Sequence, residues 1–117
     1  LSGDDGMTLP VLSVGGTGVI SVAANVEPER MGDLVWAALD GELDRARDVH
    51  HELGPLFRAL FAETNPIPVK EAMELRGYGP ARMRSPLSRS SGDVRERLDG
   101  VLAGLASDTG AACGDGQ

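Results

Sequence analysis

The sequence predicts an α/β fold: the closing part of an alternating helix and strand arrangement, followed by a small helical extension. Three observations carry this. Residues 19–22, Val-Ile-Ser-Val, form a short apolar run of mostly β-branched residues, with glycines at 15, 16 and 18 in front and Ala-Ala-Asn behind. That is the pattern of a strand covered on both faces of a parallel sheet. Helical patterns flank the run on both sides, and only helical patterns follow it. A lone strand cannot build a sheet, so the chain is expected to belong to something larger.

The elements follow in order. Asp4 or Asp5 suits the N-cap of a helix through Met7, Leu9, Val11, Leu12 and Val14, with Pro10 tolerated near its first turn and Gly15-Gly16 ending it. After the strand, Pro28 fits the first position of a second helix, where no amide hydrogen is needed. Met31, Leu34, Val35, Ala38 and Leu39 share a face of that helix, and Gly41 stops it. A longer pattern starts at Glu42, with Leu43, Ala46, His50, Leu53, Phe57 and Leu60 on one face, widened by Val49, Leu56 and Phe61. Pro55 lies inside it and predicts a kink near residues 51–55 rather than two helices. Asn65-Pro66-Ile67-Pro68 breaks the chain, and residues 69–75 read as a short helix ending near Gly77. Residues 77–91 read as irregular. A last helix begins at Gly92 or Asp93 and runs to Ala106, with Val94, Leu98, Val101, Leu102 and Leu105 on one face, and residues 107–117 lack an apolar pattern and read as disordered.

Composition narrows the function classes. The length of 117 residues suits one domain, and four aromatics leave packing to Leu, Val, Ala and Met. A net charge of −7 argues against a nucleic-acid surface, which needs clustered Lys and Arg. Ten of the eleven basic residues are Arg. With so many Asp, Gly and Ala, this reads as a GC-rich genome, and adaptation to high salt is the weaker reading. The single Cys113 excludes a disulfide framework and a cysteine metal cluster, making a reducing cytoplasm the default. No apolar run approaches the roughly 18 residues of a membrane span. The opening residues, Leu1-Ser2-Gly3-Asp4-Asp5, read as the middle of a protein.

Individual candidates for chemistry are few. Asp4 and Asp5 resemble paired carboxylates, but capping a helix at the positive end of its dipole explains them better. His50 and His51 are neighbours and point about 100° apart on a helix, so they cannot chelate one metal together. His50 is expected at a helix seam and His51 in solvent. Arg45, Arg47 and Arg58 alternate with Asp44, Asp48 and Glu52 and read as i,i+4 pairs on a wet face. The four arginines of residues 76–89 could bind an anion, but a solvated loop against an acidic body is the better reading.

Taken together and in this order, LSGDD at 1–5, GGxGVISV with Asn25-Val26, and NPIPVK at 65–70 closely resemble the carboxy-terminal part of the dihydrodipicolinate synthase family. The resemblance runs from Leu1 to about Leu105. It implies a partial (β/α)8 barrel: residues 1–5 as the end of strand 7, then helix 7, residues 19–22 as strand 8, and helix 8. By this division residues 1–40 belong to the barrel, 41–106 to a helical domain and 107–117 to a tail. It also implies a lyase of lysine and diaminopimelate biosynthesis that condenses pyruvate with aspartate semialdehyde through a lysine Schiff base. No metal or organic cofactor is implied, and the parent is expected to be a homo-oligomer, a tetramer, in the cytoplasm. Gly3 and Ile20 match substrate-binding positions of the family, the Ile20 carbonyl facing pyruvate. Barrels of this kind hold their sites at the carboxyl ends of the strands.

Lys70 matches the carboxy-terminal motif and not the Schiff-base strand, so no catalytic residue is expected in this chain and the fragment alone is expected to be inactive. Two alternatives stand beside this reading: a sister pyruvate aldolase acting on a sugar acid, and a non-catalytic helical interaction module. The charge composition has its own test. If the acidic surface is a salt adaptation, thermal stability rises as KCl is added; no gain removes that reading.

Overall fold

The structure, a computed structural model, describes residues 1–85, 87 and 89–114, with side chains as far as Leu105. Among these residues the order is a 3-10 turn Asp5–Met7, α1 Thr8–Ser13, a second 3-10 turn Ala23–Asn25, α2 Pro28–Leu39, α3 Leu43–Leu60, α4 Ile67–Leu75 and α5 Gly92–Gly114.

One local device ends three of the helices. After α1, α2 and α4 a glycine takes a positive φ: Gly15 at 107°, Gly41 at 82° and Gly77 at 89°. Around each, two amides turn back onto the last carbonyls. For α2 these are Glu42 N to Ala37 O at 2.8 Å and Gly41 N to Ala38 O at 3.2 Å. The same pair recurs after α1 (Gly16 to Val11, Gly15 to Leu12) and after α4 (Tyr78 to Met73, Gly77 to Glu74). This is the Schellman arrangement, which satisfies carbonyls the helix leaves open. At Gly16 space is a further constraint, because an added Cβ would lie 2.5 Å from Val11 Cγ1 and 2.8 Å from Val11 O.

The starts follow the residues as well. Pro28 occupies the first turn of α2, and the Ser91 hydroxyl accepts from the Val94 amide at 3.4 Å ahead of α5. Helix α3 continues through Pro55 as one element; the proline leaves the His51 carbonyl without its helical donor.

The core is built on α3. Its buried residues are Ala46, Val49, Leu53, Leu56, Phe57, Ala59 and Leu60. Met31, Leu34 and Ala37 of α2, Val69 and Ala72 of α4, and Leu98, Leu102 and Leu105 of α5 join them in one cluster, together with Ala23 and Val26. The faces are narrower than the sequence pattern suggests. Leu39, Leu43 and Phe61 are exposed and Ala37 is buried in place of Ala38, because each helix is covered on one side only.

Three expectations change. Among the described residues, positions 19–22 find no strand partner beyond one parallel bridge between Ser2 and Val19, and Val22 already has helical φ and ψ as the chain enters the Ala23–Asn25 turn. With a partner on one side for one residue only, the run cannot extend a ladder. Asp5 does not cap a helix, a role taken by Asp4, whose Oδ1 accepts from the Gly6 amide at 3.0 Å. Finally, α5 continues past Ala106 to Gly114 where a disordered tail is expected. Its packed turns at Leu98, Leu102 and Leu105 supply the nucleus from which a helix propagates. Residues 115–117 lie outside the described residues.

Because Leu53 is fully buried at the centre of α3, Leu53→Ala should cost about 2–5 kcal/mol. Urea unfolding measures it; a loss below ~1 kcal/mol would contradict this account of the core.

Candidate functional site

The residues marked by the sequence meet where positions 1–5 run beside positions 18–23. The Ser2 amide donates to Gly18 O and the Ile20 amide to Ser2 O, both at 2.9 Å, the slanted pattern of parallel pairing. Gly3 and Ile20 therefore flank the same bridge. Ile20 is exposed at 74%, and a Cβ at Gly3 would meet nothing within 4 Å, so both border open space.

A buried tie fixes this junction. Asp5, 1% exposed, accepts the Ala23 amide on Oδ2 at 2.9 Å, linking the end of the first segment to the turn after the second. Among the described residues its Oδ1 has no hydrogen-bond partner. Ser2 Oγ bonds the Asp4 carbonyl at 2.9 Å and Thr8 Oγ1 reaches the same carbonyl at 3.3 Å. Local hydroxyls thus satisfy a turn that would otherwise leave polar groups unpaired.

A charged seam joins this region to α3 and α4. Glu27 receives Arg30 Nη1 at 2.5 Å and Arg76 Nη1 at 3.0 Å, and Arg30 Nε lies 3.4 Å from Glu52 Oε2. Glu27 and Arg30 are both buried, so each depends on the other for its charge. Sequence reasoning missed this seam; the signal was an acidic residue directly before the Pro28 helix start.

A second network holds residues 77–91 against α4 and α5. Arg89 forms a fork on Glu74, with both nitrogens at 3.0 Å. Arg95 Nη2 reaches Glu74 at 2.9 Å, Ser90 Oγ donates to the buried Glu71, and the Ala81 amide donates to Glu74 at 2.7 Å. Arg89 first, then the Ala81 amide, lower the Glu74 carboxyl from 4.5 to about 2. Arg76 and Arg89 of the arginine group are therefore paired with specific carboxylates.

Other candidates resolve as follows. Lys70 is exposed and its Nζ donates to the Arg82 carbonyl at 2.9 Å, an arrangement that does nothing to desolvate an amine for nucleophilic attack. His50 packs its ring 6.4 Å from Phe57 and 5.5 Å from His51. Burial, then the His51 charge, push its pKa down. His51 is exposed. Among the described residues no group of three His, Cys, Asp or Glu could hold a metal. The expected i,i+4 pairs on the wet face of α3 are instead an i,i+3 pair, Arg47 with Asp44 at 3.5 Å, and cross-helix pairs, Arg45 with Asp33 at 3.6 Å and Arg30 with Glu52. Charges on neighbouring helices lie within reach, so the side chains bridge helices. No helix among the described residues is long and apolar enough to cross a membrane.

The decisive comparison is a family model, the dihydrodipicolinate synthetase family, which matches residues 1–104. The chain belongs to this family. Among dihydrodipicolinate synthetase relatives, the 4-hydroxy-tetrahydrodipicolinate synthase of Haloarcula marismortui is 67% identical over 108 residues, covering 92% of this chain and 35% of that protein. The enzyme of the same name from Natronomonas pharaonis is 58% identical over 105 residues, covering 90% and 36%. The crystal structure of dihydrodipicolinate synthase from Aquifex aeolicus superposes with a TM-score of 0.87 at 46% identity, covering 91% of this chain and 36% of that one. The chain spans about a third of the length of the curated relatives it matches. Its fold corresponds to a piece of these barrel enzymes.

The Glu74 network predicts a pH dependence. A carboxyl lowered on folding adds stability that is complete above its ordinary value of 4.5 and disappears as pH falls toward 2. Glu74→Gln should remove this acid-side loss in urea unfolding followed over that range; identical pH profiles for variant and parent would refute it.

Proposed function

We propose that the chain is the closing segment of a longer (β/α)8 synthase that condenses pyruvate with aspartate semialdehyde through a lysine Schiff base. In this reading residues 1–5 end the seventh strand and 19–22 belong to the eighth. Helices α1 and α2 are then the seventh and eighth barrel helices, and residues 41–106 form the appended helical domain. The parallel bridge between Ser2 and Val19 carries the reading. Consecutive barrel strands run parallel, and the substrate sits at their carboxyl ends.

Gly3 and Ile20 line the pyruvate pocket. Gly3 has no side chain, so a ligand can approach the backbone closely, and the Ile20 main-chain carbonyl faces the substrate. The reaction needs a neutral, desolvated amine to attack the pyruvate carbonyl. Lys70, exposed and committed to a carbonyl, is not that amine, and the nucleophile lies outside these 117 residues. This segment supplies shape around the substrate. Asp5 fixes the shape by holding the Ala23 turn against the first segment. The parent is a cytoplasmic homo-oligomer, a tetramer.

The test is made in the longer protein that carries the segment. Gly3→Val, which fills the proposed pocket wall, should lower kcat/KM for condensation by about a hundredfold, the scale of a misplaced substrate. The fold should survive, because the space around Gly3 is empty. Unchanged kinetics would remove Gly3 from the site.

A further inference from the structure

A cleft of about 480 Å³ opens between the Ala23–Asn25 turn and the segment that follows α4. Pro66, Val69 and Met73 form its apolar floor, and Asn25, Lys70 and Arg82 bring polar groups to it. Among the described residues none that lines it is Asp or Glu, although the chain has eighteen acids against eleven bases. The cleft is a local inversion of the protein's charge.

Its outer wall is fixed in place. Lys70 and Glu74, one turn apart on α4, grip adjoining backbone groups of the next segment. Glu74 accepts the Ala81 amide at 2.7 Å and Lys70 donates to the Arg82 carbonyl at 2.9 Å. The negative charge of Glu74 does not cancel the cleft's cations, since it is taken up by Arg89 and Arg95. The Glu27 charge is likewise met by Arg30 and Arg76. Among the described residues neither Lys70 nor Arg82 has a carboxylate within 4.0 Å. An ammonium has three donors, and Lys70 spends one of them on the Arg82 carbonyl.

We propose that this cleft binds a small carboxylate, its charged end at Lys70 and Arg82 and its carbon body over Pro66, Val69 and Met73. Cations that carry no carboxylate partner and stand beside an apolar floor suit an anion with a short hydrocarbon part. Such binding requires no step of the condensation reaction.

The longer protein that carries the segment, ¹⁵N-labelled and deuterated, is titrated with succinate, and separately with succinamide as the neutral isostere, at fixed ionic strength. Succinate should give saturable amide shifts confined to Asn25, Lys70 and residues 78–82, and succinamide none. Arg82→Gln should weaken binding about tenfold, the loss expected for one charge-assisted hydrogen bond, while Arg82→Lys keeps most of it. Arg82 is exposed and its guanidinium has no partner among the described residues, so unchanged shifts elsewhere verify the fold of both variants. Shifts that grow without saturating, that scatter over the other arginines, that appear equally with succinamide, or that survive Arg82→Gln unchanged would overturn the proposal.

Discussion

Everything else in this structure depends on the buried face of α3. The chain has few aromatics, so its interior rests on aliphatic contacts, and these converge on Leu53, Leu56 and Leu60, none of which is exposed. Helices α2, α4 and α5 all join the cluster around them. Each buried leucine contributes about 1.5–3 kcal/mol by leaving water, so three in successive turns outweigh the lost donor at Pro55. That is why the helix tolerates a proline in its interior.

Ala23 and Val26 belong to the same cluster as Leu53, so the turn after the second segment is held by the core. Asp5 then transmits that position to residues 1–5 through a single buried bond to the Ala23 amide. Glu27, Arg30 and Arg76 add a second tie between the start of α2 and the end of α4. The alignment of Gly3 with Ile20 is thus set by hydrophobic packing on one side and by buried hydrogen bonds on the other. Without the core these bonds would have to form in water, where each is worth little.

Much of this was legible in the residues, and the exceptions have physical causes. Glycine at 15, 41 and 77 marked three helix ends, because only a positive φ allows the Schellman turn. Pro28 marked a start. The four-residue VISV run has a strand's composition, yet strands are made by partners, and one residue of pairing with Ser2 is all that the described residues supply. Asp5 was misassigned since a carboxylate near a helix start looks the same in sequence whether it caps that helix or reaches eighteen residues onward. Glu74 and Lys70 have the spacing of a helical ion pair, but Lys70 turns to the Arg82 carbonyl and Glu74 to the Ala81 amide, Arg89 and Arg95. Long-range polar contacts of this kind leave no periodic trace. The family motifs located Gly3 and Ile20 as neighbours of interest, and composition alone would not have done so.

We propose that these residues shape a pyruvate pocket whose nucleophile belongs to another part of the same protein. Borohydride reduction in the presence of pyruvate, followed by peptide mass spectrometry, tests it most directly. The longer protein should acquire one stable pyruvate adduct on a lysine outside residues 1–117, and the 117-residue chain should acquire none. A stable adduct on Lys70, or a longer protein that traps no pyruvate, would refute this assignment.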